Sequence, residues 1–320
     1  MWAHYVGSLR SANSRQGNRG TAVIMAILTV ALVATLAASV VREYGANVMS
    51  LTGRHDQNQS RWLARGAVDW ARNVLANDAR TSATDHTGEA WATKVPATPV
   101  DNGEVSGEVE DLSGRFDLNS VVRNGAADST NLASYIRLLK LSGIDDDKAS
   151  DLANALVAWI VRANPDGIRA SLSSTSPASL GLPQRPPQTP LVDVDELQLI
   201  EGYDKEVLVN LRGFVSAFPA PSTLNLNTVS AEVLAAIMPD LGIATTRVVV
   251  AERQRAPFKD VNDFVARSHR SRHAPKTGLA VVSRYFLVSG RARYGESTTR
   301  MLVLLDRQNQ WSEIIWQKIL

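Results

Sequence analysis

Gly20 to Val41 reads GTAVIMAILTVALVATLAASVV, and the architecture of the whole chain follows from it. It is an unbroken apolar run, with Arg15 and Arg19 just before it and Arg42 and Glu43 just after. Thr21 to Val41 is 21 residues. At about 1.5 Å per helical residue it reaches roughly 31 Å, close to the ~30 Å hydrocarbon core of a bilayer. Residues 1–41 contain no Asp or Glu but do contain Arg10, Arg15 and Arg19. The positive charge ahead of the span implies a cytoplasmic N-terminus and export of everything that follows. The run therefore reads as a single-pass membrane anchor with an exported bulk.

Three readings of the run compete. A cleaved secretory signal has an apolar core of only about 7–15 residues before its small-residue site, although Leu36-Ala37-Ala38-Ser39-Val40 imitates such a site. A plain signal anchor is the simplest alternative. The third reading starts from Gln16-Gly17-Asn18-Arg19-Gly20, a basic leader that ends in Gly at the apolar boundary. It resembles the type III signal of prepilins, which a prepilin peptidase cuts on the cytoplasmic side. That resemblance implies cleavage between Gly20 and Thr21, with the apolar segment kept as the mature N-terminal helix. Major pilins carry Glu five residues after the cut; Met25 holds that place here.

The chain has 320 residues, enough for a membrane helix and one sizeable or two modest domains. A net charge of +2 provides no global basic field for nucleic acid. The absence of cysteine excludes disulfides, thiolate zinc sites and thiol catalysis. Of the five histidines only His269 and His273 share a helical spacing, without the Glu of a zincin between them, so they read as a solvated face.

Beyond the anchor no proline interrupts residues 43–79, and Trp62, Gly66, Trp70 and Val74 fall at helical spacing, with Leu63, Ala67 and Val68 nearby. One helix is expected to run to about residue 79, with the two Trp packed in a core. Residues 81–103 read as a loop, because of Pro96, Pro99 and Asn102-Gly103. Glu104 to Glu110 alternates as a strand, and Asp111-Leu-Ser-Gly114 turns into a second short strand over 115–119, an antiparallel hairpin. Helical patterning fills 129–164, and the Pro- and Ser-rich stretch 171–190 reads as an extended loop. Helices follow within 191–211, after Thr228 or Ser230 as cap, over about 243–255, and after Asp260. Strand patterning returns at 284–294 and 298–306, and Trp311 to Ile319 can add a last strand. Strands on both sides of a helical block make the expected class α+β, an all-α domain nested within a sheet domain.

Several stretches, in order, resemble one family, the minor pseudopilin K of type II secretion. They are the leader and anchor 15–41, Gly114-Arg-Phe-Asp-Leu-Asn119, Leu224-Asn-Leu-Asn-Thr-Val-Ser-Ala-Glu-Val-Leu234, Pro257-Phe-Lys-Asp-Val-Asn-Asp-Phe264 and Ser283-Arg-Tyr-Phe286. The resemblance covers nearly the whole chain. It implies a leader 1–20, a transmembrane segment 21–41, a pilin-like α/β domain made of 42–125 and 276–320, and an inserted helical domain 126–275. It also implies a place at the pseudopilus tip, assembled with the I-type and J-type minor pseudopilins and assisting export of folded proteins. Leu51, His55, Asn58 and Trp62 of the N-terminal helix are the expected partner contacts. Met25 agrees with the family, which lacks the fifth-position Glu. Calcium is associated with an acidic run after the Trp-Ile pair in this family, but Ala158-Trp-Ile-Val-Arg-Ala-Asn-Pro-Asp-Gly167 offers only Asn164 and Asp166. Calcium takes six to eight oxygens, so no metal is assigned and no cofactor is required.

The rival readings are a membrane-anchored DNA-binding protein and an anchored enzyme. Residues 223–267 look like a helix-hairpin-helix module, whose phosphate contacts need a Gly-rich hairpin. Here Met238-Pro-Asp-Leu-Gly-Ile243 has one Gly and an Asp at the contact point, although Arg247, Arg253, Arg255, Arg267, Arg270 and Arg272 can form a basic face. No nucleophile elbow, phosphate loop or zincin motif nominates an enzyme, and no catalytic residue is assigned.

Overall fold

The computed structural model describes residues 18–162, 190–268 and 278–320. The leader before Asn18, the Asn164–Asp166 turn, nearly all of the Pro-rich stretch, His269, His273, Arg270 and Arg272 lie outside the described residues. Ser60–Leu320 forms one compact unit, and the segment up to Gln59 forms another. Helix α1 covers Asn18–Thr81. In the compact unit its buried face is Ser60, Ala64, Val68, Ala71 and Leu75, a three-and-four spacing that gives one stripe. These side chains pack on Trp91, Phe286, Val288, Ala292, Met301, Val303 and Leu305. Burying one such Leu or Val stabilises by about 1.5–3 kcal/mol.

The expected packing of the two helix tryptophans is corrected. Trp62 is 66% exposed and Trp70 52% exposed. Small residues, Ala64 and Ala71, take the sheet-facing positions instead, because a helix lying flat on a sheet leaves little room there for an indole.

Strands β1 (Val95–Val100) and β2 (Gly103–Asp111) form an antiparallel pair joined by a tight turn. The loop expected over 81–103 therefore contains a strand. Its prolines are tolerated because β1 is a sheet edge, where an absent N–H costs little, and its register slips between Val95 and Thr98. The hairpin partner expected for β2 is also corrected. Strand β3 (Phe116–Asp117) leaves the sheet and pairs in parallel with Val215–Ser216, because Phe116 is buried in the helical core.

After the short strands β4 (Val122–Arg123) and β5 (Ala126–Ala127) comes helix α2 (Ser129–Leu141). The carboxylate of Asp128 caps α2 by accepting from the Thr130 and Asn131 amides. Helix α3 (Asp146–Arg162) follows, then α4 (Lys205–Leu211), capped by Asp204. Next are β6 (Val215–Ser216), β7 (Leu224–Asn225) and α5 (Ala231–Ile237). Ser230, rather than Thr228, caps α5, accepting from Val233 N at 3.2 Å. Helix α6 (Gly242–Arg255) and the Asp260-capped helix α7 (Val261–Arg267) complete the block. Leu138, Leu139, Leu152, Leu156, Leu211, Val233, Leu234 and Phe264 share one core. Strand β8 (Leu279–Ala280) pairs with β7.

Strands β9 (Tyr285–Tyr294), β10 (Ser297–Asp306) and β11 (Glu313–Ile319) then finish the sheet, in the order β1-β2-β9-β10-β11. All four pairings are antiparallel. The class is α+β with a long N-terminal helix. The middle strand of the sheet, β9, pairs with β2 on one side, although the helical block separates the two in sequence.

Candidate assembly site

Two regions bear on function. The first is the apolar half of α1. Val23, Ile24, Met25, Ile27, Leu28, Val30, Leu32, Val33, Leu36, Val40 and Val41 are all exposed. None of its most apolar window is covered by protein, and the helix is long enough to cross a membrane. Three of its hydroxyls are satisfied within the helix. Thr29 donates to Met25 O at 3.0 Å and Ala26 O at 2.9 Å, Thr35 to Leu32 O at 2.8 Å, and Ser39 to Leu36 O at 2.8 Å. Such back-bonding lowers the cost of placing these three hydroxyls in lipid.

Gly20, Thr21 and Met25, the residues expected at the processing site, lie within α1 and are exposed. Further along, Leu51, His55, Asn58 and Trp62 follow at spacings of four, three and four, which puts them on one helix face. All four are exposed.

The second region is a buried polar junction that patterning did not find. Asp111 Oδ2, at the end of β2, accepts from Ser283 Oγ at 2.5 Å, Thr228 Oγ1 at 2.5 Å and Asn225 Nδ2 at 3.2 Å. Asn225 Nδ2 also donates to Asp85 O at 3.0 Å, and Ser283 N to Asp85 Oδ2 at 2.6 Å. Burial pushes the Asp111 carboxyl up, against the Ser283, Thr228 and Ser113 hydrogen bonds. Arg307 reaches the same junction, bonded to Asp85 and, at 3.3 Å, to Asp78. Asp78 is raised to about 6, by burial first and then by the nearby charges of Glu89 and Asp85. Asn225, Thr228 and Ser283 all sit in stretches that resemble the family, so the signal was present as polar residues in otherwise apolar runs.

Asp78, Asp85 and Glu89 bring carboxylate oxygens within 4.8 Å of one another. Those oxygens are already engaged. Glu89 accepts from Ser82 Oγ, His86 N and Trp91 Nε1, and Asp85 from Ser283 N and Arg307. A divalent cation would compete with N–H donors and a guanidinium, so this donor set fits calcium poorly.

Among the described residues, only part of the basic face that the DNA-binding reading would need is available: Arg255 is exposed, and three other arginines are engaged within the fold. Arg253 is buried, donating to Leu226 O at 2.6 Å, so it braces the fold. Arg247 pairs with Glu232 and Arg267 with Asp263. In the hairpin Met238 and Leu241 are buried, which leaves few groups to meet a phosphate.

Family models described as type II secretion system, protein K, match residues 114–220 and 224–282, together more than half of the chain. A type II secretion system protein K of Pseudomonas aeruginosa is 31% identical over 310 residues, covering 92% of this chain and 90% of that protein. This chain belongs to the type II secretion system protein K family. The protein K of Pectobacterium carotovorum is 25% identical, covering 94% of this chain and 96% of that protein. Among solved structures, a chain from the crystal structure of the GspK-GspI-GspJ complex of enterotoxigenic Escherichia coli shares the fold. It has a TM-score of 0.69 and 20% identity, over 84% of this chain and 98% of that one.

As a member of the protein K family, this chain is a minor pseudopilin of type II secretion, a structural component of the machinery, and the DNA-binding reading is not supported. Its exposed apolar N-terminal helix serves as a membrane anchor.

Proposed function

We propose that this minor pseudopilin sits at the tip of the periplasmic pseudopilus and assembles there with the other minor pseudopilins. The observation that carries this reading is Met25, an apolar and exposed residue at the position where a repeating pilin subunit carries Glu. An unpaired charge inside lipid is costly, and a subunit that lacks the carboxylate has nothing with which to neutralise a preceding subunit's amine. Such a subunit fits the front of a fibre, where none precedes it. The helical block between β2 and β9 supports the same reading, because repeated stacking of so bulky a domain along a fibre is sterically unfavourable. The structural neighbour was crystallised in a GspK-GspI-GspJ complex, which agrees with partners of this kind.

In this reading the leader is cut between Gly20 and Thr21, the N-terminus faces the cytoplasm of an inner membrane, and Leu51, His55, Asn58 and Trp62 meet the partners. Residues 42–125 and 276–320 act as the pilin-like frame, and 126–275 as its insertion. No cofactor is required, and the engaged carboxylates of Asp78, Asp85 and Glu89 favour a calcium-independent fold. The test is complementation of a strain that lacks this protein, reading export of a type II substrate. The natural chain restores export; Gly20→Leu does not, although it still inserts. Restoration by Gly20→Leu would overturn the reading.

A further inference from the structure

The sheet face opposite α1 is covered by the helical block only at one end. Along β9 the alternate residues on this face pass from buried Tyr285 through the half-buried Leu287 and Ser289 to exposed Arg291 and Arg293. At the open end Arg291 stands directly across from Arg300 of β10, and Ser106 of β2 lies on its other side. Two like charges directly opposite each other oppose strand pairing rather than support it. Both arginines are exposed, and neither has a side-chain hydrogen bond or ion pair with a described residue.

The acidic residues nearby do not relieve this. Glu104 pairs with Arg293 at 3.1 Å, Glu108 with Lys94 at 2.9 Å, and Glu110 with Arg115. The face therefore combines a satisfied acidic column on β2 with two unsatisfied guanidiniums beside it. That imbalance decides between occupants. A second copy of the chain apposed through this same face would bring Glu104, Glu108 and Glu110, which are already paired. A phosphodiester polymer needs a continuous basic track, and here it would run against Glu104, Glu108 and Glu110. A short segment with two carboxylates on one side matches two adjacent forks, since each guanidinium can hold a carboxylate bidentately.

We propose that Arg291 and Arg300 form a docking surface for a carboxylate-bearing, extended segment of a partner protein. Cross-strand neighbours have Cβ atoms about 4.5–5.5 Å apart, within reach of acidic side chains two residues apart on a strand. Within the compact unit this surface lies on the sheet face away from the buried α1 residues Ala64, Val68, Ala71 and Leu75.

The experiment uses the full chain in detergent and a fluorescent peptide of alternating glutamate and threonine. Peptide anisotropy is followed at low and at raised salt, with a glutamine-and-threonine peptide and a short DNA duplex as competitors. The wild type is expected to bind the glutamate peptide at least roughly tenfold more tightly than the glutamine peptide, and less tightly as salt rises. Arg291→Ser with Arg300→Ser, and separately Arg300→Glu, are expected to abolish that preference. Their melting temperatures should be unchanged or raised, because each removes a like-charge clash. Equal binding by the variants, no binding by the wild type, or tighter binding of DNA than of the peptide would each overturn the proposal.

Discussion

A Cβ placed on Gly114 would lie 2.7 Å from the carbonyl carbon of Thr228 and 2.6 Å from its Oγ1. Two family stretches far apart in sequence thus meet backbone to backbone, and only glycine permits the approach. Thr228 also bonds Asp111, so displacing it disturbs the junction. Gly114→Ala is expected to destabilise by about 1–3 kcal/mol, as overpacking does. Chemical denaturation monitored by tryptophan fluorescence reads this directly, and a stability within error of wild type would show that Thr228 yields freely.

Arg307 is the cation of the same junction. Its side chain is 5% exposed and that of Asp85 2%. Removing one partner of a buried pair costs about 3–5 kcal/mol, because the other charge is left uncompensated. Arg307→Ala should lose stability on this scale, and lose more at pH 8 than at pH 5, where Asp78, raised to about 6, takes up a proton and leaves less charge uncompensated. An equal loss at both pH values would contradict the pairing.

Much of this fold was legible because periodicity reports exposure. The strands β9 and β10 and the capped helices after Ser230 and Asp260 follow their local patterns, whereas the acidic residues near 193 open only a short 3-10 turn and the helix there starts later, after Asp204. Other features were hidden for physical reasons. Trp62 and Trp70 fit an apolar stripe, yet size excluded them from the sheet-facing side and the alanines took their places. Pro96 and Pro99 argued against β1, whose edge position removes the objection. The Asp85–Asp111–Asn225–Ser283 junction depends on contacts between distant segments, which no local period encodes. Arg253 reads from sequence as part of a basic surface, whereas its buried bond to Leu226 takes it out of that surface.

Acidity bears on stability through Asp117. Burial raises its carboxyl from the usual 3.8 to about 7, against the pull of amide bonds from Phe218 and Asn119. The folded value exceeds the unfolded one, so the folded chain holds the proton more tightly. Its stabilising contribution is complete below about pH 4 and falls as pH rises to about 7, with a slope of up to ~1.4 kcal/mol per pH unit. Asp78 and Asp111, raised as well, act in the same sense. Asp117→Asn keeps an acceptor for the two amides and should flatten the pH profile, with the largest gain over wild type above pH 7. Parallel profiles for the two proteins would rule out this role.

The anchor makes its own prediction. Intact-mass spectrometry of the protein from its native membrane should find Thr21 as the first residue, with or without a methylated amine. A start near residue 40, or an unprocessed Met1, would favour the signal-peptide or signal-anchor alternative.

A subunit that caps a fibre joins other minor pseudopilins and does not repeat along it. Co-expression of the full chain with its cognate I-type and J-type pseudopilins, followed by sizing with light scattering in detergent, separates these two behaviours. One stable complex with a single copy of each is expected, weakened by Leu51→Ala with Trp62→Ala. Filaments of this chain alone, or no association at micromolar concentrations, would contradict the tip assignment.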